Sequence, residues 1–276
     1  VGVEAMRVLL TANQRELIRK ALQDDPKLAL QTVRALGSSG NARTVPLLLP
    51  LVTDAKQTDE IRQDAVRSLA KSRPGGAALV KLANENQLDV RLKPIAGFAL
   101  YAANYGNLKA DVERLFPLPP TKNSKPLPPL ADLIKAKGNA ARGKLVFETT
   151  GTCAKCHVVN GQGKEVGPNL SEIGSKLSRE AMFESILYPS AGISHNYETY
   201  QLLLDDGNTA QGILISQTPN EVSLKGNDAI VRTYKRSQIE QMEKQNISLM
   251  PADLQKVMTA DELVDVVEYV STLKKK

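Results

Sequence analysis

Cys153, Cys156 and His157 concentrate more potential chemistry than any other stretch of this chain. They stand in the run Cys-Ala-Lys-Cys-His and include both cysteines of the 276 residues. The spacing C-x-x-C-H is the attachment signature of a c-type haem. The thiols add across the vinyl groups of the macrocycle and leave thioether bonds. The histidine that follows is thereby held under the iron as an axial ligand. Three other readings compete. A thioredoxin-like C-x-x-C needs a βαβ context, whereas Asn139 to Thr149 reads as a helix. Zinc needs four ligands. The chain offers Cys153, Cys156, His157 and the distant His195, and the adjacent Cys156 and His157 sit awkwardly on one tetrahedron. A chance pentapeptide is the third.

The elements around the motif must position it. Gly143 and Phe147 are four apart and share a helix face. A glycine inside a helix costs about 1 kcal/mol, so it needs a packing reason. Gly167-Pro168-Asn169-Leu170 follows the motif; Pro168 lacks an N–H, but its carbonyl is a free acceptor. An axial partner for His157 must come from five methionines or His195. Ser248-Leu249-Met250-Pro251 is the best source, because Pro251 biases Met250 away from helix and onto an extended loop. Met182 lies at helical spacing among Phe183, Ile186 and Leu187 and reads as core. Met242 follows a charged segment, and Met258 immediately precedes the last helix. That helix opens on Thr259-Ala-Asp-Glu262, a capping box. It continues with Leu263, Val266, Val267, Val270 and Leu273 at helical spacing. Lys274, Lys275 and Lys276 read as its solvated end.

Taken together, Gly143, Phe147, the C-x-x-C-H run, Gly167–Leu170 and Ser248–Pro251 resemble class I cytochrome c. The resemblance implies that Gly143 and Phe147 pack against an aromatic on the last helix, for which Tyr269 is the match. It implies that the Pro168 carbonyl accepts a bond from His157 Nδ1–H, orienting the ring and strengthening the ligand. It also implies that Met250 is the axial methionine, with His195 as the alternative. On this resemblance the expected metal ligands are His157 and Met250. The expected cofactor is one covalent haem c bound through Cys153, Cys156 and His157 and touched by Pro168 and Leu170. Ile173, Leu187, Leu249 and Leu254 are further candidates for the pocket wall.

The stretch from His157 to Met250 is longer than a compact cytochrome c needs, and the excess has strand character. Tyr197–Leu204, Thr209–Ser216, Glu221–Leu224 and Ala229–Tyr234 are separated by turn residues. They predict a small antiparallel sheet of about four strands, inserted at about 196–236. The front half differs. Glu4 to Phe116 reads as short amphipathic helices. Val33-Arg34-Ala35-Leu36 is echoed by Val66-Arg67-Ser68-Leu69 and, more loosely, by Gly97-Phe98-Ala99-Leu100. Steps of about 33 and about 31 residues suggest paired-helix repeats of the HEAT-like kind; a plain helical bundle is the alternative. Phe116 to Pro129 carries six prolines, which predicts a semi-rigid extended connector. The expectation is a mainly α chain in three parts: a HEAT-like α-solenoid (1–116), a proline-rich linker (117–130), and a class I cytochrome c fold with an inserted sheet (131–276). This order of parts, with Ile186–Ser190 reading Ile-Leu-Tyr-Pro-Ser, is similar to the haem-binding C-x-x-C-H domain of planctomycetes and their relatives. There, helical repeats and a dehydrogenase-like propeller often precede the haem domain.

Composition bounds the rest. Net charge is +6, and a basic surface steers acidic partners. Four Phe, seven Tyr and no Trp show no stacking pattern beside a basic patch, which argues against nucleic acid. No apolar run approaches a membrane span. The start at Val1 reads as processed, and the resemblance implies a periplasmic or otherwise exported protein. The expectation is an electron carrier, not an enzyme, served by a redox protein or dehydrogenase domain. The alternatives are a peroxidase-like haem enzyme with a displaceable sixth ligand, and a haem-based redox sensor or scaffold.

Overall fold

The computed structural model describes residues 2–275; Lys276, read above as part of the solvated helix end, lies outside them. The chain divides into two compact units. One runs to Leu118 and takes in Pro129–Ala131; the other holds Pro119–Pro128 and the residues from Asp132 onward.

The first unit is helical: α1 (Val3–Thr11), α2 (Arg15–Gln23), α3 (Pro26–Ser38), α4 (Val45–Thr53), α5 (Asp59–Ala70), α6 (Arg73–Asn84), α7 (Lys93–Ala103) and α8 (Lys109–Leu115). The α5 helix sits at its centre and packs against α3, α4, α6 and α7. Its start follows from sequence: the Thr58 hydroxyl caps the Ile61 N–H at 3.3 Å, and Asp59 and Glu60 favour the first turn. The echoed quartets occupy buried faces of alternate helices. Val33 and Leu36 on α3, and Val66 and Leu69 on α5, are each 0% exposed. Ser68 of the second quartet donates its hydroxyl to Val33 O of the first at 3.0 Å.

The second unit contains α10 (Ala140–Glu148), α11 (Arg179–Leu187) and α12 (Ala260–Thr272); the short α9 (Leu130–Lys135) straddles the division. Between α11 and α12 lies an antiparallel sheet of β1 (Thr199–Leu204), β2 (Thr209–Gln217), β3 (Glu221–Lys225), β4 (Val231–Lys235) and β5 (Ile239–Gln245). Its order is β4-β3-β2-β1-β5. Leu202, Val222 and Leu224 form the core of one face, with Tyr200, Leu214, Tyr234 and Met242 against them. The sheet therefore has five strands rather than four, and it runs to Gln245 rather than to about 236. The missed strand reads Ile-Glu-Gln-Met-Glu-Lys-Gln and lacks two-residue alternation. Pairing with β1 imposes its structure. Met242, read from sequence only as following a charged segment, is thereby part of the sheet's packing.

The proline-rich segment turns back on itself instead of extending. Pro120 pairs antiparallel with Pro126. The Thr121 N–H and hydroxyl both donate to Lys125 O, at 2.8 and 2.9 Å, and Ser124 takes a positive φ of 57° at the tip. Lys122 N–H donates to Met258 O at 3.0 Å, fastening this hairpin to the start of α12. Among the described residues, no helix is long and apolar enough to cross a membrane.

Candidate haem site

The frame of the site is the crossing of α10 and α12. Asn139 caps α10 by accepting from Arg142 N–H at 3.0 Å. Gly143 lies where the helices approach most closely: an added Cβ would run into the Asp265 backbone carbonyl and reach Tyr269 Cβ at 3.0 Å. Phe147 meets Tyr269 edge-to-face, with ring centroids 5.6 Å apart. The crossing also buries a charge that sequence reading missed. Asp265 is 1% exposed; its carboxylate accepts from Asn139 N–H at 2.7 Å and from Arg142 Nε. The signal was an aspartate inside the apolar run Leu-Val-Asp-Val-Val. The capping box closes the near end of α12: Glu262 N–H donates to Thr259 Oγ1 at 3.1 Å, and Thr259 N–H to Glu262 Oε2 at 2.8 Å.

At the end of α10 the chain passes Gly151 and enters a tight turn. Cys153–Lys155 form one 3₁₀ turn, and Cys156 N–H and His157 N–H both donate to Cys153 O, at 3.0 and 2.9 Å. Both cysteines are free and half-buried. Burial pushes the Cys153 thiol up to about 12. Burial also raises Cys156, with Lys164 and Lys155 pulling the other way. Both thiols are thus held as S–H at neutral pH. Burial lowers His157, opposed by its bond to Pro168.

The loop after the motif grips the imidazole. Lys164 N–H donates to Ala154 O at 3.0 Å; Val166 and Gly167 N–H both donate to Cys156 O, at 3.0 and 2.7 Å. These bonds bring Gly167 against the ring, where an added Cβ would stand 2.5 Å from Cε1. Pro168 O lies 2.8 Å from Nδ1. A carbonyl can only accept, so Nδ1 carries the proton and Nε2 keeps the lone pair that binds a metal.

Met250 sits on a half-buried turn. Its N–H donates to Ser248 Oγ at 3.1 Å, and Ser248 N–H donates to Ser190 Oγ, just after α11, at 3.1 Å. Leu170, Ile173, Leu249 and Leu254 are half-buried, and Leu187 is buried. Of the other methionines, Met6 and Met182 are no more than 3% exposed and Met242 lies on the sheet; Met258 is buried beside the attachment turn, its sulfur 3.5 Å from where a Cβ on Gly151 would stand, a point 3.2 Å from Cys153 Sγ. The His195 side chain is 88% exposed and stands 3.5 Å from Glu198. Among the described residues, no group of three or more His, Cys, Asp or Glu side chains could hold a metal ion. Zinc therefore has no ligand cluster here. A lone imidazole with an oriented lone pair, beside two free thiols, suits a haem that brings four nitrogens of its own.

Residues 140–203 match the family Cytochrome c. No curated protein matches the chain. The family match supports a cytochrome c-like haem-binding domain in this part of the chain, with covalent haem c and a redox role.

Proposed function

We propose that the chain is an electron-transfer protein carrying one haem c on Cys153 and Cys156, whose iron His157 and Met250 would ligate. The observation that carries this reading is the bond from the histidine of the C-x-x-C-H run, His157 Nδ1, to Pro168 O, inside the matched segment. A haem held here supplies reversible one-electron iron chemistry. The chain's own residues do the rest. The Cys153 and Cys156 sulfurs would tether the group. Pro168 holds the Nδ1 proton, which makes Nε2 a stronger donor. Met250 supplies a soft thioether, which raises the reduction potential relative to harder donors. Leu170, Ile173, Leu187, Leu249 and Leu254 exclude water. Residues 1–116, read as HEAT-like repeats, serve as a docking platform. A dehydrogenase-type domain or partner supplies electrons, and the protein works in the periplasm or another exported location.

Haem staining after denaturing electrophoresis tests attachment: colour should stay with the chain and vanish in Cys153→Ser/Cys156→Ser. Colour that acid-acetone removes from the unmodified chain rejects the reading. Met250→Ala should abolish the sulfur-to-iron band at the red end of the ferric spectrum and lower the potential. An unaltered spectrum would return the sixth position to another methionine or to His195.

A further inference from the structure

The inserted sheet has a second face, and one end of it is covered. Gln245, Thr199, Ile213, Lys225 and Val231 form one cross-strand row over β5, β1, β2, β3 and β4. Side chains alternate along a strand, so this row points away from Leu202, Val222 and Leu224. Most of that face is exposed, including Gln201, Gln211, Thr233 and Glu243. Thr199, Ile213 and Ser223 are different, at 0%, 4% and 7% exposed. Beside them, Lys225 Nζ donates to Glu165 O at 2.9 Å. Glu165 belongs to the loop that grips His157.

That bond begins a continuous chain. Glu165 O and Val166 N–H belong to one planar peptide unit, and Val166 N–H donates to Cys156 O at 3.0 Å. Cys156 O and His157 N–H belong to the next, and His157 N–H donates to Cys153 O at 2.9 Å. Three hydrogen bonds through two rigid planes thus join the Lys225 ammonium to the attachment turn. The first bond has a cationic donor and is open to solvent. It also polarises the peptides behind it, so that each N–H becomes a better donor.

We propose that Lys225 is a positioning residue for His157, and that the inserted sheet buttresses the haem attachment turn through it. The haem part of this rests on the function proposed above; the mechanical part concerns the chain alone. Lys225→Met keeps the apolar stem and removes the donor. In the full chain without haem, amide hydrogen exchange at Val166 and His157 should speed up about fivefold, the scale of one ordinary net hydrogen bond. Protection at Leu202 and Val222 should hold, showing the sheet intact. In the haem-loaded chain, the paramagnetically shifted proton resonances of the His157 ring and the reduction potential should both shift, and Lys225→Arg should restore them. Arg232→Met, which breaks the pair between Arg232 on β4 and Asp228 in the turn before it, should leave all of these unchanged. Unaltered exchange at Val166 and His157 in Lys225→Met, with the sheet protected, overturns the buttress. So does a shift that Arg232→Met reproduces. If the unmodified chain takes up no haem, the function proposed above fails, and the exchange experiment still decides the role of Lys225.

Discussion

The two units bury charge over very different distances along the chain. In the helical unit, Arg62 is 4% exposed. Its guanidinium donates to Val52 O at 3.2 Å and to Asp89 at 3.0 Å, and Asp89 lies only 27 residues away. In the second unit, Asp265 is 1% exposed and takes its bond from Asn139, 126 residues away. Each buried charge is paired, as it must be. The first pair joins near neighbours, and so do α5 with α6 and α3 with α5. The second closes the two ends of its unit on each other, with the motif, the His157 loop, the sheet and the Met250 turn enclosed between them. A unit of near-neighbour contacts tolerates local damage locally. A unit closed by its ends should transmit damage at the crossing to everything it encloses.

Gly143→Ala tests that contrast most severely. The new Cβ collides with backbone of α12, which no rotamer change relieves, so the helices must separate. The expected loss is about 3 kcal/mol in the second unit. Hydrogen exchange read by mass spectrometry would follow the two units separately. Protection should fall across α10, α12, the attachment turn and the sheet, and stay unchanged from α3 to α7. Loss confined to α10 alone would show that the crossing does not hold the site together.

Asp89→Asn probes the other side of the comparison with a smaller effect. Arg62 would keep only the more distant Asp59, at 4.0 Å, so its buried charge becomes poorly paired. The expected cost is about 2 kcal/mol, confined to the helical unit, with the haem spectrum unchanged. The pH dependence has a definite sign. Bonds from Arg91, and then from Arg62, hold Asp89 well below the usual carboxylate range, against the effect of burial. A depressed folded pKa contributes stability above the unfolded value near 4, and that contribution fades as pH falls towards the folded value. Acid titration of the native helical unit should therefore show a loss below about pH 4 that Asp89→Asn lacks. Equal acid sensitivity in both forms would assign the loss to other carboxylates.

What was legible in the sequence follows the same division by range. The attachment turn could be read because its chemistry requires neighbouring residues. Helices α3, α5 and α12 could be read because burial at a 3.6-residue period leaves its mark within one element. The capping box at Thr259 is likewise local. The fifth strand was not legible: Ile239 and Met242 are its only apolar residues, and it exists through pairing with β1. Asp265 with Asn139 and Lys225 with Glu165 were equally hidden, because each depends on register and packing across many residues. The proline-rich segment misled in a different way. Its composition favours an extended chain, but Asn123-Ser124 supplies a turn in the middle, and Ser124 adopts the left-handed backbone that the turn needs.

That hairpin gives the gentlest test of the comparison, because it asks which unit a short segment belongs to. Thr121 is 7% exposed, and its hydroxyl donates to Lys125 O at 2.9 Å. Thr121→Val keeps the side-chain shape and removes that donor, leaving the Thr121 N–H on the same carbonyl at 2.8 Å. The carbonyl stays satisfied, so the expected cost is about 1 kcal/mol, the net worth of one neutral hydrogen bond. What matters is where the cost appears. The hairpin is fastened to α12 by Lys122 N–H on Met258 O, and Met258 is 1% exposed in the second unit's core. Exchange should quicken at Lys122 and over the first turn of α12, while α5 and α7 hold their protection. Faster exchange in α5 or α7, with α12 unmoved, would instead make the hairpin a part of the helical unit.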